Sequence, residues 1–352
     1  MSRVLPERDR LLAVRQELAG GGQQVVEIGP GIEGLIRSWQ CGQFGCSLRA
    51  FLLYAQWGDW DRRQAGVVIA GADVLFGVGL YHRPDGWHLH VVGPQGGERV
   101  RRVADFSRRL LAAGLVDRVY VRHLVDGAER EFLGAGFIGV ERYPWMPESP
   151  AEDETYPHRL VDLTQALQPP FGPRTLRLAH HRFSNFLRRC GATCVLRPLG
   201  HFYPALEIAR EHFLRQGKPL TALDYELLIR TALPDGERYL SQVAWLKSDR
   251  TELPVGVFLG EQIGPTSGAL YLNVAVRNPA LVESLQIRDR TGFSAIAAYL
   301  HAELFRQLAS RGWQTVDLGG SETASLDRFK QTIGAQPLLS RWVVLTREEM
   351  TR

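Results

Sequence analysis

Lysine is nearly absent from this chain. Of its 42 basic side chains three are lysines, Lys218, Lys247 and Lys330, and the other 39 are arginines. So lopsided a ratio reflects coding bias and excludes little by itself, but it makes each retained lysine conspicuous. Cysteine is scarce too. The four residues Cys41, Cys46, Cys190 and Cys194 are spaced C-x4-C and C-x3-C, a poor match to the C-x2-C knuckles of structural zinc, and they read as buried or free thiols. No metal and no cofactor is expected. Long apolar runs are missing as well. The most apolar stretch, Val67 to Leu80, is interrupted by Asp73 and three glycines, so nothing approaches the roughly 20 apolar residues of a membrane helix. The start, MSRVLPERDR, carries charge where a signal peptide needs an apolar run. These absences point to a soluble, cytoplasmic protein without a membrane partner.

What is present is enough for two ordinary domains: 352 residues, 45% of them hydrophobic. The formal net charge of +4 permits a phosphate-bearing partner without demanding one, so local clustering must decide.

The second half reads as a β-hairpin, Pro254 to Gly260 and Ala269 to Val276, followed by a long helix capped at Thr291 with the stripe Phe293, Ile296, Ala297, Leu300, Leu304 and Leu308. A short strand, Gln314 to Leu318, a Gly319-Gly320 turn, a short helix from Ser325 to Ile333 and a closing strand from Ser340 to Thr346 complete it. The first half repeats the order: strands Val74 to Tyr81 and Trp87 to Val92, a helix from Glu98 to Ala113, a strand from Arg118 to His123, a helix from Ala128 to Gly134 and a strand from Phe137 to Val140. The spacings agree within two residues, which gives two copies of one ββαβαβ unit. Between them, Tyr143 to Pro173 holds seven prolines, the acids Glu148, Glu152, Asp153 and Glu154, and a crossover strand at Arg159 to Leu163. The expected domains are therefore 1–165 and 166–352.

Three segments are candidates for chemistry. Gly29-Pro30-Gly31-Ile32-Glu33-Gly34 satisfies the dinucleotide pattern after a strand-like run, but neither the long helix nor the acid about 20 residues on follows, so it reads as a glycine-rich turn. Arg174 to Arg189, RTLRLAHHRFSNFLRR, has five arginines, two histidines and no acid. Leu176, Ala179, Phe183, Phe186 and Leu187 recur at helical spacing while Arg177, His181, Ser184 and Arg188 share another face. That face is either a solvated basic surface or a binding surface for nucleic acid or pyrophosphate. Third, the double-glycine turn after Asp317 opens backbone N–H groups near a helix start, a favourable place for an anion or developing oxyanion, with Lys330 one turn into the helix beside Leu326 and Phe329.

The arginine-rich helix, the long helix after Asp289-Arg290-Thr291-Gly292-Phe293-Ser294, and the glycine turn followed by Phe329-Lys330 and Gly334 resemble the C-terminal half of Fem-type aminoacyl transferases and the catalytic domain of aminoacyl-phosphatidylglycerol synthases, over about 180 residues. The resemblance implies an α+β fold of two tandem GNAT-like (acyl-CoA N-acyltransferase-like) domains, each a mixed, mostly antiparallel sheet with flanking helices. It implies an aminoacyl-tRNA co-substrate, with Lys330 at the tRNA 3' end or the reacting ester and Arg174, Arg182 and Arg188 tracking phosphate. The first copy has Glu131-Phe132-Leu133-Gly134 in place of Phe-Lys and is expected to be non-catalytic.

Ordinary GNAT enzymes hold acetyl-coenzyme A with an R/Q-x-x-G-x-G/A loop, which neither copy carries. The favoured activity is therefore transfer of an amino acid from tRNA to the amine, hydroxylamine or hydroxyl of a small molecule, ahead of a coenzyme A-dependent acyltransferase or a non-catalytic RNA- or protein-binding fold. The ester is already activated, so the site must orient two reactants, stabilise an oxyanion and protonate the leaving ribose oxygen. Lys330 is the candidate for charge stabilisation, helped by the backbone of Gly319 and Gly320. Asp317, Glu322 and Asp289 are candidates for holding or deprotonating the acceptor ammonium. Tyr271 and Asn273 line the pocket, and Arg290 and Phe329 join the substrate-binding set. The two copies suffice to bury one another, so a monomer is compatible with the pattern.

Overall fold

The computed structural model describes residues 7–19, 23–27, 35, 45, 47–50, 56–57, 64–70, 73–93, 97–124, 127–140, 156–215, 225–226, 228–230, 232, 234–249, 251–275, 290–321 and 323–351. The chain divides into two units, 1–148 together with 339–352, and 149–338. Each has its own sheet and core.

The strands of the first unit are β1 (Gln23–Glu27), β2 (Gln56–Trp57), β3 (Gln64–Ala70), β4 (Asp73–Arg83), β5 (Gly86–Val92), β6 (Arg118–Leu124), β7 (Ile138–Val140) and β15 (Arg341–Thr346). They form an eight-stranded sheet in the order β1-β3-β2-β4-β5-β6-β15-β7. Helices α1 (Glu7–Leu18), α2 (Gly97–Ala112) and α3 (Glu129–Gly134) flank it. The pattern of α2 shows why it forms where it does. Val100, Val103, Ala104, Phe106, Leu110 and Leu111 recur at helical spacing and are all buried, against Val78, Leu80, Leu89, Val91, Val119 and Val121 of the strands. Strands β4 and β5 pair antiparallel around the tight turn closed by Gly86, whose φ of 121° suits glycine.

The second unit comprises β8 (His158–Asp162), β9 (Thr193–Pro198), β10 (Tyr239–Lys247), β11 (Glu252–Gln262), β12 (Ser267–Ala275), β13 (Thr315–Asp317) and β14 (Gln336–Leu338), with α4 (Leu163–Ala166), α5 (Arg174–Arg189), α6 (Phe202–Arg215), α7 (Arg290–Phe293), α8 (Ile296–Ser310) and α9 (Ala324–Thr332). Its seven-stranded sheet runs in the order β14-β8-β13-β12-β11-β10-β9. The core beneath α5 and α8 joins Leu176, Phe183 and Phe186 to Ile296, Leu300, Leu304 and Leu308 and to Leu240, Phe258 and Val316 of the sheet. The tandem GNAT-like fold expected from the sequence is what the two mixed, mostly antiparallel sheets and their repeated element order show.

Two expectations need correction. The chain does not divide once near residue 165. The strand after β7, which is β8, inserts between β13 and β14 of the second sheet, while the strand after β14, which is β15, inserts between β6 and β7 of the first. Each copy thus gives its last strand to the other, and the closing strand belongs to the first unit. The apolar run of β15 fits that interior place, with Val343 and Leu345 in the core beneath α2 and Trp342 and Val344 packed with Tyr120 on the opposite face. Second, Thr291 does not cap the long helix. It lies inside the single turn α7, and Ala295 N–H folds back on Gly292 O before α8 begins. The glycine-rich turn after β1 lies outside the described residues, as do Cys41 and Cys46, and Cys190 and Cys194 are thiols, as expected.

Candidate active site

Strands β12 and β13 run parallel but share only three rungs, Ser267 to Thr315, Gly268 to Val316 and Ala269 to Asp317. Strand β12 then continues to Ala275, whereas β13 stops at Asp317 and gives way to Leu318, Gly319 and Gly320. The pairing of the two strands therefore ends at Ala269 and Asp317. Strand β11 steps in register between Leu259 and Gly260, opposite Tyr271 of β12, so a β-bulge lies beside the end of that pairing.

Lys330 sits under the glycine turn. It is 4% exposed, and its ammonium donates to the carbonyls of Leu318, Gly319 and Gly320 at 2.8, 3.0 and 2.5 Å. Three donors meet three acceptors, which is how a buried ammonium escapes most of the cost of leaving water. The helix that carries it starts at a built cap, Thr323 Oγ1 accepting from Leu326 N–H at 3.2 Å. Gly319 has φ 69°, a left-handed conformation that costs glycine little, and its N–H donates to Asp317 Oδ1 at 2.8 Å.

Asp317 has a second partner that local sequence could not show. His158 Nδ1 lies 3.1 and 3.0 Å from the two oxygens of Asp317, and both side chains are almost fully buried. A carboxylate can only accept, so Nδ1 carries the hydrogen. His158 comes from β8, the exchanged strand, and its neighbour Arg159 makes a two-pronged pair with Asp327 of α9, Nε to Oδ1 at 2.7 Å and Nη2 to Oδ2 at 2.8 Å. Gln331 adds a third donor to Asp327 at 2.7 Å. The Arg159 guanidinium holds the Asp327 carboxyl below its usual range. On the other side, the buried His301 of α8 packs edge-on to Phe329 at 5.3 Å and donates from Nδ1 to Ala297 O at 2.7 Å. Burial pushes it down to about 4, so it is neutral at pH 7.

The sequence-derived residues thus fall into three groups. Lys330, Gly319, Gly320 and Asp317 meet at the end of β13, with Phe329 half-buried beside them. Tyr271 and Asn273 are on β12, the first buried and the second half-buried. Arg174, Arg177, Arg182 and Arg188 are exposed on α5, whose buried face is the expected Leu176, Ala179, Phe183, Phe186 and Leu187. Among the described residues no carboxylate pairs with these four arginines. The two segments adjoin. Gly334, just after α9, has φ 97°, and a Cβ there would stand 2.7 Å from Pro173 Cγ at the start of α5. Asp289 and Glu322 lie outside the described residues, and Arg290 opens α7.

Sequence reasoning missed His158, Arg159, Asp327 and His301. The crossover strand carried one hint, a His-Arg pair directly before the apolar Leu160 and Val161. Among the described residues no group of His, Cys, Asp and Glu is arranged to hold a metal, and no helix is long and apolar enough to cross a membrane. Burial raises the Cys194 thiol to about 12, which leaves it protonated and unreactive at neutral pH.

No family model and no curated protein matches the sequence. Solved structures do. A conserved protein of unknown function from Bacteroides thetaiotaomicron aligns with TM-score 0.60 at 10% identity, over 92% of this chain and 99% of that one. FemX aligns with TM-score 0.56 at 9% identity, over 93% and 98%. L-PGS from Bacillus licheniformis aligns with TM-score 0.53 at 11% identity, over 91% and 93%. At these identities the likeness is one of fold, and it extends over nearly the whole length of both partners in each case.

Proposed function

We propose that the protein is an aminoacyl transferase that moves an amino acid from an aminoacyl-tRNA to the amine, hydroxylamine or hydroxyl of a small molecule, at the end of β13 in the second unit. The observation that carries this reading is the juxtaposition of two elements: a glycine turn locked by the buried Lys330, and an exposed, carboxylate-free arginine helix whose first turn adjoins the helix bearing that lysine. The first suits an acyl centre, because ester aminolysis needs placement and oxyanion stabilisation more than it needs a cofactor. The second suits a polyanionic donor, because arginines without carboxylate partners on one face supply the phosphate contacts that dominate nucleic-acid affinity. The fold shared with FemX and L-PGS agrees with a transferase. The first unit, which lacks the lysine, is assigned no catalytic part.

The test is incubation of the protein with a pool of radiolabelled aminoacyl-tRNAs, or with labelled acetyl-coenzyme A, and the small-molecule fraction of a cell extract. Label passing from tRNA to a small product supports the assignment. Transfer from coenzyme A alone overturns the choice of donor, and transfer from neither overturns the reading of the chain as an acyl transferase.

A further inference from the structure

The turn held by Lys330 contains two donors that no described residue of the protein uses. A trans peptide places its C=O and N–H on opposite sides. The carbonyls of Leu318, Gly319 and Gly320 all turn to Lys330 Nζ, so the N–H groups of Gly319, Gly320 and Ser321 turn away from it. Gly319 N–H is taken by Asp317 Oδ1, and Ser321 N–H by Tyr156 O at 3.4 Å. Among the described residues nothing accepts the N–H of Gly320. The next side chain is also unmatched. Ser321 is 0% exposed, and its Oγ is buried with no hydrogen-bond partner among the described residues. An unmatched buried hydroxyl costs stability, and native proteins retain few of them without a use.

We propose that Gly320 N–H and Ser321 Oγ–H are the oxyanion donors of this site, and that Lys330 and the His158–Asp317 pair are positioning residues that hold the turn so that those two donors keep no acceptor among the described residues. The inference rests on the acyl-transfer reading above. In the step concerned, the acceptor nitrogen attacks the ester carbonyl carbon and a C–N bond forms. The carbonyl π pair moves onto oxygen, where the two donors meet it. Collapse restores the C=O, breaks the C–O bond to the ribose, and the proton lost by the attacking nitrogen goes to the ribose oxygen. No other reactant is needed. Lys330 on this view acts through the peptides it binds and not at the reacting atoms. This also accounts for why Lys330 is directed at backbone carbonyls.

Ser321→Ala separates this role from a packing role. It deletes a hydroxyl that has no partner to lose, so the thermal midpoint is expected to stay level or rise, while kcat in the transfer assay falls on the order of 10- to 100-fold with KM for the acyl donor little changed. Ser321→Cys, with its weaker donor, is expected to fall between. Unchanged kcat in Ser321→Ala overturns the proposal while leaving the transferase assignment standing. A protein that transfers from coenzyme A and not from tRNA overturns the donor assignment, yet the same loss read on that donor supports the two-donor site. A protein that transfers from neither overturns both.

Discussion

Arg159 and Asp327 meet in a buried, two-pronged ion pair across 168 residues of sequence, joining the exchanged strand β8 to the helix that carries Lys330. Each side chain is 9% exposed. At that depth the loss of one partner strands the other charge, so Arg159→Met or Asp327→Asn is expected to lower unfolding stability by about 3 to 5 kcal/mol, measured by denaturant titration. Replacing both together is expected to cost less than the sum of the two. The pH dependence has a definite sign. In the unfolded chain Asp327 takes up a proton near pH ~4, whereas in the folded chain Arg159 holds its carboxyl lower. The pair's contribution is therefore complete above that pH and lost as the pH falls through the folded value.

Lys330→Arg is expected to be as damaging to turnover as Lys330→Met, each losing on the order of a hundredfold or more in kcat. The guanidinium keeps the charge but presents its donors in a plane, and cannot address three consecutive carbonyls as the ammonium does. Steady-state kinetics with the tRNA donor check this. An arginine variant near wild-type rate would mean that charge alone matters at this position.

Reversing Arg177 and Arg188 to Glu is expected to weaken tRNA binding while leaving the thermal midpoint nearly unchanged, because both side chains are exposed on α5. The log–log dependence of affinity on salt should also become shallower, by about 0.7 to 0.9 for each phosphate no longer neutralised. Filter binding over a salt series measures both. Equal affinity would return the helix to an ordinary solvated surface.

His301 supplies a separate acid sensitivity. It is neutral when folded, with burial pushing it down to about 4, but protonates near ~6.5 when unfolded. Between those values the unfolded chain binds the extra proton, so stability falls as the pH is lowered through that window, at roughly 1.4 kcal/mol per pH unit from this residue. His301→Phe should flatten the stability profile between about pH 6.5 and 4, read from urea midpoints at several pH values.

Much of this architecture is legible in the sequence because it is local. The apolar stripe of α5 and the agreement in spacing between the two copies depend on periods of a few residues, and the structure shows them where the sequence places them. The long-range parts are not legible. His158 sits beside a proline-rich, acidic stretch and gives no hint that its partner is Asp317, 159 residues on. The sequence marks Ser340 to Thr346 as a closing strand, but a run of apolar residues says nothing about which sheet receives it. Lys330 is conspicuous in a chain with three lysines. That its donors face carbonyls of its own turn is a matter of tertiary geometry, and so is the unmatched hydroxyl of Ser321.

The exchange of β8 and β15 also bears on how the molecule is made. Synthesis proceeds from the amino end, and early domains ordinarily fold while later ones are still being built. Here the first sheet has a vacancy between β6 and β7 until residues 341–346 have left the ribosome. The second sheet, whose β8 is made before all its other strands, waits for nothing beyond Leu338. The unit begun last is therefore the one that can be finished first, and the unit assigned no chemistry is completed by a strand made after the whole of the second.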